Sequence, residues 1–370
     1  MKTMTQAGMV RSMRYLARAF VLLALIMILA GCASPAWYPQ AVSGHMEIMR
    51  QREDIASILN SGTADPELAS ELGLSVKIRH FAVSDLSLPD NGSYSEYVRT
   101  GRDAVTWNVV AAPEFSLQPK RWCFIVSGCV PYRGYFGLAG AEKLAARLSA
   151  RGYDTAVSPA IAYSTLGWFD DPLLDTMLRY SDEQLAAFIF HELAHQKLYV
   201  RGDAAFNEAY ASFVEEQGVR LWLQSSGRSD RLPAWLEREQ AGIEYSALLQ
   251  QTRKQLRVLY ASDRTDEQKR AGKSAVIRRM QDEYRALVNS QWGGISYFES
   301  TLSREMNNAR LALVNSYRGG ACAFNQLFSL SKNNMARFHQ LAGEKAALPK
   351  KQRRAWLLQS CGVIASGSDL

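Results

Sequence analysis

Apolar residues recur three and four positions apart over 138–151 and stop at Gly152, which predicts an amphipathic helix. Residues 41–84 also read as helical. There, Asp65-Pro66 supplies a cap and a first-turn residue that lacks only a donor the turn leaves unpaired. Between these stretches the pattern changes. Runs at 104–112 and 121–126, and a third at 154–162, predict strands. Beyond Pro233 the chain is almost wholly helical. Heptad-like apolar spacing over 235–262 and 266–291, with the capping box Thr265-Asp266-Glu267-Gln268 between them, predicts a long antiparallel hairpin able to project from the body. Gly293-Gly294 ends it, and further helices are expected over 296–316, 322–343 and from Pro349 to residue 360. The expected fold class is helix-rich α+β with one small twisted sheet. Its expected division is a leader over 1–31, a core over 32–232 and a helical region over 233–370.

One helical stretch carries chemistry: His191-Glu192-Leu193-Ala194-His195. On an α-helix, residues four apart differ by about 40° in direction and about 6 Å in height, so both imidazoles leave one face and can grip one ion. Glu192 stands beside the first ligand, where its carboxylate can take a proton from water activated by the metal. The surrounding positions, Leu185, Phe188, Ile189, Leu193 and Leu198, are apolar, and a buried helix seldom carries such polar groups without partners. Ser181 and Gln184 read as a capping box, and Arg201-Gly202 as the stop, which places the motif mid-helix. Asp203 caps a second helix over 204–224 that returns antiparallel and brings Glu208 back as third ligand. Three protein ligands and one open position is the catalytic arrangement. Glu215 and Glu216 are rivals for that third place, and Asn207 is a candidate to support the ligands or to cap.

FHELAHQ followed by FNEAYASFVEEQG resembles the gluzincin class of zinc peptidases. More narrowly, the chain resembles the bacterial putative aminopeptidase family of zinc lipoproteins. The resemblance extends to Leu88-Pro89-Asp90-Asn91-Gly92-Ser93-Tyr94, to Trp107 through Phe115, to Cys129-Val130-Pro131-Tyr132-Arg133-Gly134-Tyr135-Phe136, and to Tyr163 through Pro172. It implies a gluzincin-like core, one Zn2+ ion, a peptide substrate and aminopeptidase activity.

The N-terminus bears on compartment. Lys2, Arg11, Arg14 and Arg18 precede an apolar run over 19–30, too short to span a bilayer comfortably and suited to a signal segment. It ends in Leu29-Ala30-Gly31-Cys32, which resembles a bacterial lipobox, so Cys32 is the expected lipidation site. Ala33-Ser34 carries no aspartate, which favours the periplasmic face of the outer membrane. Loss of residues 1–31 removes four basic and no acidic side chains and lowers the formal charge from +7 to +3. That small charge gives no case for nucleic-acid binding. The basic run Lys350-Lys351-Gln352-Arg353-Arg354 reads as a solvated helix start. Four cysteines remain, with Cys123 and Cys129 the easiest pair to join and Cys322 and Cys361 left over.

Three roles stay open. Tyr317 is the candidate oxyanion donor, with Tyr210 and His339 as rivals. Asp170, Asp171 and Glu114 are candidates to receive a substrate amine. Residues 163–166 are a candidate strand edge for an extended peptide, or core. An envelope quality-control factor with a zinc cleft, a zinc endopeptidase and a peptidoglycan hydrolase are the rival readings. Nothing in the sequence bears on oligomeric state.

Overall fold

A computed structural model describes residues 37–124, 128–162, 169–299, 305–312 and 320–358. Helices α1 (Tyr38–Arg50), α2 (Ile55–Ser61) and α3 (Pro66–Ser84) fill the expected N-terminal helical stretch, with Asp65 accepting from the backbone of Glu67 at the start of α3. The strands are β1 (Glu53–Asp54), β2 (Glu96–Val98), β3 (Thr106–Pro113), β4 (Trp122–Phe124), β5 (Gly128–Val130), β6 (Arg133–Tyr135), β7 (Tyr153–Ala160) and β8 (Leu173–Leu174). They form three small sheets where one was expected: β6-β3-β7, β1-β2-β8 and the hairpin β4-β5. The pairs β1, β2 and β8 are too short to show a period of two, which hides them in the sequence. Cys123 and Cys129 face each other across β4-β5 and are joined as expected.

Side chains alternate across β3. Val109 and Ala111 pack under Leu144 and Leu148 of α4 (Leu138–Ser149), while Val110 meets Ala309 on the other face. The central helices are α5 (Asp182–Lys197) and α6 (Ala204–Ser225). The hairpin is α7 (Leu232–Tyr260) and α8 (Asp266–Ser290), with the Thr265–Gln268 capping box in place. It does not project freely. Arg270 and Lys273 of α8 bind Glu114 and Asp154, which lie at the end of β3 and on β7, and tie the hairpin to the sheet.

Of the helix expected over 296–316, the described residues show Glu299 as helical, 305–307 outside any helix, and α9 (Asn308–Ala312); residues 300–304 and 313–319 lie outside the described residues. Asn307 and Asn308 side chains bond to the backbone of Thr155, Pro113 and Glu114, fixing the chain before α9 to the sheet. The helix expected over 322–343 is two: α10 (Ala321–Leu330) and α11 (Met335–Ala346). Lys332 and Asn333 adopt positive φ, of 56° and 59°, and Asn334 then caps α11 by accepting from Arg337 N. Helix α12 (Lys350–Leu357) follows. The C-terminal helices close the main core, where Phe324 and Phe338 pack on Phe213 and Tyr210. Cys322 is disulfide-bonded, and its expected partner Cys361 lies outside the described residues. No helix among the described residues is long and apolar enough to cross a membrane.

Candidate metal centre

Ser181 caps α5 by accepting from Gln184 N, but α5 ends at Lys197, well short of the expected stop at Gly202. The reason is Asn207. Its side chain accepts from Val200 N at 2.8 Å and donates to Val200 O at 2.9 Å, capturing backbone groups that would otherwise extend the helix. Asn207 therefore shapes the loop rather than supporting a ligand. His195 falls in the last turn instead of mid-helix. Asp203 caps α6 as expected, accepting from Phe206 N. Gly218 lets the two helices approach, since a Cβ there would stand 2.8 Å from Phe190, the residue before His191.

This packing converges His191, His195 and Glu208, whose ligand atoms lie within 4.8 Å of one another. The two Nε2 atoms are 3.2 Å apart. Glu208 lies 3.5 Å from His191 Nε2 and 3.7 Å from His195 Nε2. Nitrogens about 2.0–2.1 Å from a tetrahedral zinc ion stand about 3.3 Å apart, so the cluster fits zinc with little movement. Two imidazoles and a carboxylate are also a suitable donor set for that ion.

Glu215 has a different place from the one considered for it. Its Oε2 meets His191 Nδ1 at 2.9 Å, on the side of the ring away from the cluster. Seven residues separate Glu208 and Glu215, two turns of one helix face, so one carboxylate meets each side of the His191 ring. That spacing was the signal. Burial opposes charge on His191, but Glu208 and Glu215 outweigh it and raise its pKa to about 10. Burial and the neighbouring His191 push His195 down to about 4. Burial would raise Glu208, yet both histidines hold it below the usual carboxylate range. The cluster thus gathers a single positive charge between two carboxylates, where a divalent cation is favoured.

A second layer fixes α5 from behind. Gln196 accepts from Asn91 Nδ2 at 2.6 Å and donates to Ser93 Oγ at 3.2 Å and Asp171 Oδ2 at 3.5 Å. This explains the Asn91-Gly92-Ser93 run. Asp170 accepts from Gly92 N on the exposed side of the same loop, while Asp171 is buried. Glu114 is held by Arg270 at 2.6 Å and 3.0 Å, engaged by the hairpin rather than brought to the cluster. The start of α6 is tied down by Arg353, whose guanidinium meets Asp203 at 2.6 Å with both side chains buried. Arg353 is therefore not part of a solvated basic face. The three-methylene stem and fork of arginine can reach inward from a helix whose other cations stay in water.

The oxyanion candidates separate. Tyr210 is fully buried and bonds His339 Nδ1 at 2.7 Å, while His339 Nε2 bonds Leu86 O, so both are consumed in the core. Tyr317 lies outside the described residues, as do residues 163–168 and Cys32. Tyr132, in the block that includes Cys129, was not singled out in the sequence. Its side chain is 40% exposed, yet the protein around its hydroxyl, with Glu208 and Glu192 nearby, raises its pKa, so the hydroxyl keeps its proton at neutral pH. Tyr94, buried beside Glu192 and Asp171, is raised for the same reasons.

Neither a curated protein nor a solved structure matches the chain. A family described as "Putative aminopeptidase" does match, over residues 36–357, a span that holds all three cluster residues, Glu192, Glu215, Tyr132 and Arg353. The chain belongs to the putative aminopeptidase family.

Proposed function

We propose that the protein is a zinc-dependent metallopeptidase acting at free N-termini of peptides. The observation that carries this is the meeting of His191, His195 and Glu208 at distances that fit one zinc ion, with Glu192 next to the first histidine. Zinc, when bound there, supplies the Lewis acidity that makes water nucleophilic near neutral pH. Glu192 accepts the proton of the attacking water and delivers it to the leaving amine. Tyr132 keeps its hydroxyl proton and donates it in a hydrogen bond to the developing oxyanion. Glu215 holds the His191 ring in one orientation and tautomer.

The amine-recognising group belongs to the Asp170-Asp171 loop, because Glu114 is engaged elsewhere and this loop shares hydrogen bonds with Gln196 of the motif helix. Turnover of free and N-acetylated peptides tests the aminopeptidase reading. Acetylation should lower kcat/KM by two to four decades, as expected when a carboxylate loses a partner worth about 3–5 kcal/mol. Asp170→Asn or Asp171→Asn should narrow that gap. Equal turnover of capped and free peptides would make the enzyme an endopeptidase. For location, the lipobox-like end at Cys32 supports a lipid anchor in a bacterial envelope, and loss of palmitate label in Cys32→Ala tests it.

A further inference from the structure

A second site lies at the β6 edge of the β6-β3-β7 sheet, between α4 and the start of α1. Here Trp37, Arg133, Tyr135, Lys143, Arg147 and Arg151 surround a cleft of about 350 Å³. Four of these six are cations and no acidic side chain lines the cleft. Lys143 and Arg147 are one turn apart on α4, with Arg151 one turn further along just past its end, so the three exposed cations form a row. None of the four cations forms an ion pair among the described residues.

Arg133 is the unusual member. It is 8% exposed, yet its Nε has no hydrogen-bond partner. Its guanidinium is held between the rings of Trp37 and Tyr135, each 5.6 Å away. A buried guanidinium without an anion is costly, and burial together with the nearby Arg147 lowers its pKa. Beside it the Tyr38 hydroxyl is also buried without a partner. The fork of an arginine matches a phosphate oxygen pair, and a ring of further cations would neutralise the rest of the charge.

Position supplies the source of the anion. The apolar run over 19–30 ends seven residues before Trp37. Fully extended chain covers about 3.5 Å per residue, so Trp37 stands within about 25 Å of that run, and closer still to Cys32. Whether the run stays in a membrane or Cys32 carries acyl chains, this cleft is the part of the described fold tethered nearest the lipid. Trp37 in the lining suits the headgroup level, where an indole meets apolar and polar surroundings together.

We propose that this cleft binds the phosphate headgroup of an anionic phospholipid and seats the protein against the membrane. The inference shares the membrane reading of the N-terminus but not its chemistry, since palmitate labelling and headgroup binding fail separately. The test is calorimetric titration of the full-length protein in an uncharged maltoside detergent with dihexanoyl phosphatidylglycerol, dihexanoyl phosphatidylcholine and inorganic phosphate. Phosphatidylglycerol should bind saturably and weaken with added salt. The double variant Arg147→Gln/Arg151→Gln, on the exposed face of the cleft, should weaken it about tenfold or more, as loss of two cations near a phosphate surface requires. Arg133→Met should abolish binding if its melting curve stays cooperative, and the double variant decides the matter if it does not. Equal binding of phosphatidylcholine, or no effect of the double variant, would overturn the site. Inorganic phosphate binding as tightly as the lipid would overturn the lipid source.

Discussion

Glu215 Oε2 lies 2.9 Å from His191 Nδ1, on the edge of the ring opposite the nitrogen that faces Glu208. One helix thus treats one imidazole from both sides, with Glu208 at the ion position and Glu215 behind the ring. A carboxylate on the far nitrogen keeps its proton there, so the proton that a metal ion would displace is the one on Nε2, which then donates its lone pair and is the better donor for it.

Glu215→Gln should therefore retain zinc but bind it about 10–100-fold more weakly, the usual cost of losing such an orienting group. Competition with a fluorescent zinc chelator measures this. Unchanged affinity would mean that Glu215 only packs against His191.

Proton transfer and oxyanion binding are separable from metal binding. Glu192→Gln should hold full zinc and lose nearly all turnover, because an amide cannot accept the proton of the attacking water. Tyr132→Phe should lower kcat by about 10²–10³ with zinc content unchanged. If Tyr132→Phe turns over normally, the oxyanion donor lies elsewhere, and Tyr317 becomes the next substitution to make.

Arg353 and Asp203 meet at 2.6 Å with both side chains buried, and Arg353 also donates to the carbonyls of Ala346 and Leu348. Arg353→Met strands Asp203, the cap of the helix that carries Glu208. Loss of one partner of a buried pair costs about 3–5 kcal/mol, readable as a shift in the urea unfolding midpoint. A variant as stable as the parent would show that this tie contributes little.

His339 gives the stability a pH dependence. Burial lowers its pKa to about 4, although its bond to Leu86 O acts in the opposite sense. The unfolded chain, with a histidine near its ordinary 6.5, binds more protons between those two values. The contribution of His339 is thus fully present above pH 6.5 and is lost as the pH falls toward 4, about 2 kcal/mol of it by pH 5. In His339→Gln the fall in unfolding free energy from pH 7.5 to pH 5 should be smaller by about that amount. An equal fall in both proteins would assign the acid sensitivity to other groups.

Much of the centre was legible in the sequence because it depends on local helical spacing. His191 and His195 had to share a face, and a short turn had to bring Glu208 back to them. What spacing could not reveal were contacts made across the chain. Arg353 read as a solvated cation, for nothing in its neighbours announces Asp203, 150 residues earlier. The early end of α5 was hidden for a related reason, since a side chain on the next helix, Asn207, captures the backbone of Val200. Tyr132 lies in the short connection between β5 and β6, within electrostatic reach of Glu208 and Glu192, so no periodicity pointed to it. The helix expected over 322–343 failed at Lys332 and Asn333, where two left-handed residues fold α11 back on α10.

The central claim is that His191, His195 and Glu208 together hold one catalytic zinc ion. Metal content by mass spectrometry, on purified parent protein and on the single variants His195→Ala, Glu208→Ala and Glu215→Ala, tests it most directly. The account predicts about one zinc per parent chain, most of it lost in His195→Ala and Glu208→Ala but largely retained, under excess zinc, in Glu215→Ala. Full occupancy in Glu208→Ala with loss in Glu215→Ala would contradict it by moving the third ligand, and a parent protein that takes up no zinc would contradict it outright.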